Sequence, residues 1–125
     1  MYLITGAAGF IGSALVAHLN ALGEDNLILV DDFINYPDKA HNLTGKKFVM
    51  QVERDDLFIA WEQEQWPLSG VYHLGARTDT AEPSKALFDR LNLNYTKEVW
   101  KRCTELKTPL IYASPGATYG LGEHG

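Results

Sequence analysis

The sequence predicts an α/β fold, a doubly wound and mainly parallel sheet of about five strands in the order 3-2-1-4-5. Three observations predict it. Short aliphatic runs alternate with stretches of helical periodicity along the whole chain. The second run, Leu27-Ile28-Leu29-Val30, is apolar without alternation, as a strand covered on both faces must be. A glycine-rich turn joins the first run to the first helical stretch. Right-handed crossovers through the helices then make neighbouring strands parallel.

The first strand is Tyr2-Leu3-Ile4-Thr5, and it stops at Gly6. Ile11, Leu15, Leu19 and Leu22 follow at helical spacing, Ala14 and Val16 widen that apolar face, and Gly23 stands where a helix terminator belongs. The second strand ends in Asp31-Asp32. Phe33 to Gly45 is polar and holds Pro37, which predicts a loop, with Lys47 to Val52 as a third strand. Asp55 or Asp56 is placed to cap a helix bearing Leu57, Phe58 and Trp61, and Pro67 with Gly70 then punctuates the chain. Val71-Tyr72-His73-Leu74 reads as strand four. A long helix begins near Pro83 and repeats Leu87, Leu91, Tyr95, Val99 and Cys103 every four residues. Leu110-Ile111-Tyr112-Ala113 makes strand five.

At 125 residues the chain holds one compact domain, residues 1–125, without linker, repeat or low-complexity tract. Apolar residues at 46% and charged residues at 22% argue against disorder and against a disulfide scaffold. No apolar run approaches the roughly 18 residues of a membrane helix, so no membrane partner is expected. Cys103 stands alone, which excludes an internal disulfide and a cysteine-built metal site and suits a reducing, cytoplasmic setting. The formal net charge is −5; residues 1–38 carry five acidic side chains and no Lys or Arg, while the rest balances 11 against 11. No basic cluster is present to grip a phosphate backbone, which counts against nucleic acid. The first cation is Lys39, so the N-terminus lacks the positive region of a secretory signal. His18, His41 and His124 show no partner spacing, and His73, inside a strand, reads as a satisfied core residue. No metal site is expected.

Gly6-Ala7-Ala8-Gly9-Phe10-Ile11-Gly12 spaces its glycines three apart between strand and helix, where a pyrophosphate meets the exposed amides of a helix start. Gly6 permits the tight turn, Gly9 lets main chain approach the phosphates, and Gly12 lets helix and strand pack closely. Asp31 follows Gly12 by 19 residues, at the strand end where a carboxylate accepts hydrogen bonds from the adenosine ribose. Its charge disfavours a 2′-phosphate, which points to NAD. Lys39, in the next loop, offsets that charge if it folds over the ribose, so NADP stays open beside NAD.

Thr5-Gly6-Ala7-Ala8-Gly9-Phe10-Ile11-Gly12, then Asp31, His73-Leu74-Gly75-Ala76, and Tyr112-Ala113-Ser114 leading to Ala117-Thr118-Tyr119-Gly120 resemble the Rossmann-like extended short-chain dehydrogenase/reductase superfamily, the NAD-dependent epimerases and dehydratases. Within it the chain resembles the N-terminal portion of the ADP-L-glycero-D-manno-heptose 6-epimerase family, on Gly75 to Thr80, Asn92 to Lys97 and Tyr119 to Glu123. The resemblance implies that Phe10, Ile11, Asp31, Asp32, Lys39, Arg54, Leu74, Gly75, Ala76, Arg77 and Thr78 surround the cofactor, with support from Asn92. On its own spacing, Asn92 reads instead as a core-edge amide. The resemblance further implies hydride transfer from a sugar carbon to the nicotinamide and its return to the opposite face, in the supply of a lipopolysaccharide precursor. The nucleotide-sugar substrate needs the family's C-terminal part, which this chain lacks. A homo-oligomer is a further possibility.

The family's base is a tyrosine with a lysine four residues on, which lowers the phenol pKa. Four residues beyond Tyr2, Tyr36, Tyr72, Tyr95, Tyr112 and Tyr119 stand Gly6, Ala40, Ala76, Val99, Gly116 and Glu123. The dyad is absent, and Pro115 occupies the position of the family's catalytic serine or threonine. Ser114, one residue early, reads as a strand-end hydroxyl. No catalytic residue is therefore assigned. Two functional readings stand: the cofactor-binding portion of a nucleotide-sugar epimerase, and a non-catalytic dinucleotide-binding module. A third is a marginal scaffold that associates through the open edge of strand five.

Overall fold

The computed structural model describes residues 1–74 and 85–112, with side chains described from Leu93 onward in the last helix. Strands β1 (Tyr2–Thr5), β2 (Leu27–Asp31), β3 (Met50–Glu53), β4 (Gly70–His73) and β5 (Leu110–Tyr112) form one sheet in the order β3-β2-β1-β4-β5. All four pairings are parallel. The expected strand order and α/β class are thus observed. Helices α1 (Phe10–Ala21), α2 (Leu57–Glu64) and α3 (Lys85–Leu106) run between strands.

Alternation along the strands splits the core into two layers. Leu3, Ile28, Val30 and Val71 pack with Leu57 and Trp61 of α2 and with Val99 and Cys103 of α3. Ile4, Leu27 and Leu29 pack on the other face with Val16 and Leu19 of α1. β2 is buried at every residue, which accounts for its unbroken aliphatic run.

Helix α1 buries Gly12, Val16 and Leu19 and leaves Ala14, Ile11 and Leu22 exposed, so its inward face is narrower than the leucine repeat predicts. The cause is the entry of the helix. Gly12 lies against the β1 turn, and the inward stripe continues from it one turn at a time. At the other end Gly23 has φ +87°, its amide donates to the Asn20 carbonyl at 2.9 Å, and the Glu24 amide donates to the Leu19 carbonyl at 2.8 Å. Those two bonds are a Schellman termination, as the position of Gly23 predicts.

Three further expectations need correction. The segment read as loop between Phe33 and Gly45 contains a 3-10 helix, Pro37–Leu43, started by Pro37 and anchored by buried Leu43. β3 begins at Met50 rather than Lys47, because the Lys47 amide is taken by the Asn20 side chain at 2.8 Å. Asp56 occupies the cap position of α2 without a side-chain cap bond, since a 3-10 turn over Arg54–Asp56 leads directly into the helix. Pro83 and Ala113, and the side chains of Leu87 and Leu91, lie outside what is described. Among the described residues no helix is long and apolar enough to cross a membrane.

Candidate cofactor site

Parallel register fixes which residues share an edge. Thr5 stands level with Val30 on one side and with His73 on the other, and Asp31 stands level with Glu53. The carboxyl ends of four strands therefore bring the Gly6 to Gly12 turn, Asp31 and Asp32, Arg54 and Leu74 to one margin of the sheet. In open α/β sheets ligands occupy that margin.

The turn itself is built by glycine. Gly6 adopts φ +67°, a conformation costly for a residue with a side chain. A Cβ on Gly12 would lie 2.0 Å from the Gly6 carbonyl oxygen, so helix and turn touch only because Gly12 has none. A Cβ on Gly9 would meet the same oxygen at 3.4 Å, an ordinary contact. Packing thus requires Gly12, whereas it leaves Gly9 free to serve something else.

The amides of Ala7, Ala8 and Gly9 are satisfied by the Val30 carbonyl at 3.2 Å, the Asp31 carboxylate at 2.9 Å and the Gly6 carbonyl at 3.1 Å. The Gly9 carbonyl accepts the Ser13 amide at 2.9 Å. Phe10, Ile11 and Gly12 follow as the first residues of α1, whose N–H groups have no intrahelical acceptor. Such donors attract an anion. The Phe10 side chain is 90% exposed and that of Ile11 57%.

Asp31 is 5% exposed and fully engaged. Its Oδ2 accepts from the Ala8 amide, and its Oδ1 accepts from the Asp32 amide at 2.7 Å and from Lys39 Nζ at 2.9 Å. Lys39 lies 5.5 Å from the centre of the Tyr36 ring, which steers its ammonium inward. It is not the solvated lysine of an ordinary loop. Asn42, which nothing in its neighbourhood singled out, donates from Nδ2 to the Ala8 carbonyl at 2.7 Å and secures the turn from the 3-10 helix.

Next to Asp31 the acidic pair Asp32 and Glu53 organises the following loop. Glu53 accepts the Phe33 and Ile34 amides at 3.2 and 3.4 Å, and Asp32 accepts the Asn35 amide at 3.2 Å. Burial, reinforced by the Asp32 carboxyl, pushes Glu53 above its ordinary pKa. Burial acts against Asp32 as well, but hydrogen bonds from Asn35 and Glu53 hold it below its ordinary value. Arg54 lies over the Tyr95 ring, 4.1 Å from its centre, and the Tyr95 hydroxyl donates to the Arg54 carbonyl at 2.9 Å. Burial pushes the Tyr95 phenol well above its ordinary value.

His73 is 1% exposed and bonded on both ring nitrogens, to Thr5 and to Thr96. Burial, with Arg54 adding to it, lowers its pKa from 6.5 to about 4, so the ring is neutral at pH 7. The expectation of a satisfied core histidine holds. Gly75, Ala76, Arg77, Thr78, Ser114 and Pro115, and the side chain of Asn92, lie outside what is described. Among the described residues no three His, Cys, Asp or Glu side chains gather as a metal site would need.

Comparison with known proteins follows the same lines. The ADP-L-glycero-D-manno-heptose-6-epimerase of Cupriavidus pinatubonensis is 40% identical over 119 residues, 94% of this chain and 36% of that protein. The protein of that name from Nitratidesulfovibrio vulgaris is 35% identical over 127 residues, covering all of this chain and 39% of its own length. The chain therefore spans less than two-fifths of these curated relatives. Among solved structures, the Helicobacter pylori ADP-L-glycero-D-manno-heptose-6-epimerase superposes with a TM-score of 0.63 at 23% identity, over 95% of this chain and 40% of that one, a likeness of fold. The NAD dependent epimerase/dehydratase family matches residues 2–125, and with the strand order and glycine turn already described, the chain belongs to that family.

Proposed function

We propose that this chain is the dinucleotide-binding portion of a nucleotide-sugar epimerase of the ADP-L-glycero-D-manno-heptose 6-epimerase type. One observation carries the proposal: the opening turn leaves its helix amides as unpaired donors beside a glycine, Gly9, that packing does not require, with Asp31 fixed across from them. The diphosphate sits on the Phe10 to Gly12 amides, and the adenosine ribose lies toward Asp31 and Asp32. Lys39 and Arg54 flank it, and Leu74 to Thr78 with Asn92 take the nicotinamide half. When bound, the cofactor supplies a hydride acceptor and donor. The protein's part is to hold its phosphates and ribose in a fixed pose.

Lys39 determines how the charge of Asp31 is felt. Paired with it at 2.9 Å, the ammonium neutralises the carboxylate and supplies a cation within reach of a 2′-phosphate, which supports NADP beside NAD.

By itself the chain turns over no sugar nucleotide. No tyrosine in it is followed four positions on by lysine, and Pro115 offers neither a hydroxyl nor an N–H where the family's catalytic hydroxyl belongs. Those two departures also favour a second reading, a non-catalytic dinucleotide-binding module. A Tyr-x-x-x-Lys encoded downstream of Gly125 selects the first reading, and a stop codon the second. A cytoplasmic setting, and self-association through the β5 margin, belong to either.

Calorimetric titration with NAD and with NADP tests binding: saturable heat with either supports the proposal, and none with both refutes it. Interconversion of ADP-heptose epimers by the purified 125-residue chain would refute the assigned inactivity.

A further inference from the structure

We propose that Asn42 is a positioning residue for cofactor selectivity, registering the 3-10 helix Pro37–Leu43 against the glycine turn so that Lys39 is held at Asp31. The selectivity rests on the dinucleotide reading, whereas the registration rests on hydrogen-bond geometry alone.

Asn42, Ala8, Asp31 and Lys39 close a circuit. Asn42 Nδ2 donates to the Ala8 carbonyl at 2.7 Å, the Ala8 amide donates to Asp31 Oδ2 at 2.9 Å, and Asp31 Oδ1 accepts from Lys39 Nζ at 2.9 Å. The 3-10 helix carries both Lys39 and Asn42 and completes the loop. At about three residues per turn, side chains three apart eclipse on such a helix, so Lys39 and Asn42 leave it on one face. One reaches the carboxylate proposed for the ribose, the other the turn proposed for the diphosphate. The polarity of the second contact is fixed, because a carbonyl only accepts and Asn42 must present its amide nitrogen.

The other anchors of the helix do not set this register. Leu43, 4% exposed, belongs to the apolar layer that holds Val16, Leu19 and Leu29. An apolar contact is non-directional, so it fixes where that end of the helix lies and not how the helix is turned about it. Tyr36, whose ring lies 5.5 Å from Lys39 Nζ, is tied through its carbonyl to the Lys39 amide at 3.0 Å and moves with the lysine. The lysine itself is a charge on a flexible stem, which leaves the main chain behind it unoriented. Asn42 makes a directed bond from a short side chain, about 6 Å along the axis from Lys39 at roughly 2.0 Å per residue. Its loss is what lets the Lys39 end swing away from Asp31.

Asn42→Ala and Asn42→Leu both remove the donor, one without and one with the side-chain volume, and the exposed position of Asn42 leaves the core intact in each. The first reading needs no cofactor: acylation of lysine amines by acetic anhydride, followed residue by residue by mass spectrometry. In both variants Lys39 should label roughly three- to fivefold faster than in the unmodified chain, with exposed Lys101 unchanged. Equal Lys39 labelling, or a rise that Lys101 shares, overturns the registration. The second reading is the ratio of NADP to NAD affinity. It should fall roughly three- to fivefold in either variant, and replacing Asn42 in a Lys39→Ala chain should change it no further. An unchanged ratio, or an additional fall in the double variant, overturns the selectivity role. An unmodified chain that binds neither cofactor removes the dinucleotide reading and the selectivity with it, while the labelling of Lys39 still decides the registration.

Discussion

Asp31 is bonded to the turn it faces: its Oδ2 accepts the Ala8 amide at 2.9 Å across a sequence separation of 23 residues. The carboxylate proposed to hold the ribose is also a strut of the turn proposed to hold the diphosphate. Folding and binding are therefore coupled at this residue. Asp31→Ala leaves the Ala8 amide without its acceptor and Lys39 without its counter-charge, and should cost about 1–3 kcal/mol in urea unfolding. Asp31→Asn keeps an acceptor for Ala8 and should lose less. Equal stability of the unmodified and alanine proteins would show that the strut carries no load.

Gly9 and Gly12 separate the two demands on the turn. Gly12→Ala drives a methyl to 2.0 Å from the Gly6 carbonyl oxygen and 2.8 Å from Ala7 Cα, both main-chain atoms that cannot step aside. It should lower stability by about 3 kcal/mol or prevent folding. Gly9→Ala has room and an ordinary φ of −76°, and its melting temperature should stay within a few degrees of the unmodified value. Its NAD affinity should nevertheless fall at least about tenfold, because the methyl occupies the approach to the phosphates. Paired thermal melts and titrations check both.

Lys39, paired with Asp31 at 2.9 Å, is proposed to set the balance between the two cofactors. Lys39→Ala removes the ammonium that neutralises Asp31 and leaves the carboxylate facing any 2′-phosphate. NADP affinity should drop roughly tenfold relative to NAD, an effect of about 1–2 kcal/mol at low salt. An unchanged ratio of the two affinities would place Lys39 away from the ribose.

His73 gives stability a defined pH dependence. Its pKa is 6.5 in the unfolded reference and about 4 in the fold, where burial disfavours the charged ring. Between those values the unfolded chain binds the proton and the folded chain does not, so stability falls as pH drops from 6.5 toward 4 and levels off below. The full loss is of the order of 3 kcal/mol. Urea denaturation at pH 7 and pH 4.5 should show most of it, and His73→Gln should show a clearly smaller difference. The same pH sensitivity in the variant would assign the effect to other groups.

Much of this architecture was legible in the residues. The unbroken run Leu27 to Val30 signalled a strand buried on both sides, and Gly6, Gly12 and Gly23 fell where the main chain needs them. The placement of Asp31 at the end of β2 followed from its spacing. The contacts that hold the site escaped, for a physical reason. Asn42 to Ala8 spans 34 residues, Asp31 to Ala8 spans 23 and His73 to Thr5 spans 68, and no local pattern encodes a partner so far away. The inward face of α1 was misread because Gly12 adds no hydrophobicity to a periodicity count, although its missing side chain is what lets the helix sit down. The 3-10 helix over Pro37–Leu43 is short and polar, with only Leu43 buried, so it left no periodic trace.

The most direct measurement is an amide chemical-shift titration of the isotope-labelled chain with NAD. Binding as described moves the Phe10, Ile11 and Gly12 amides together and saturably, ahead of resonances on the far end of the sheet such as Gly70. If those three stay fixed at saturating NAD, no diphosphate rests on the start of α1, and the central claim is wrong.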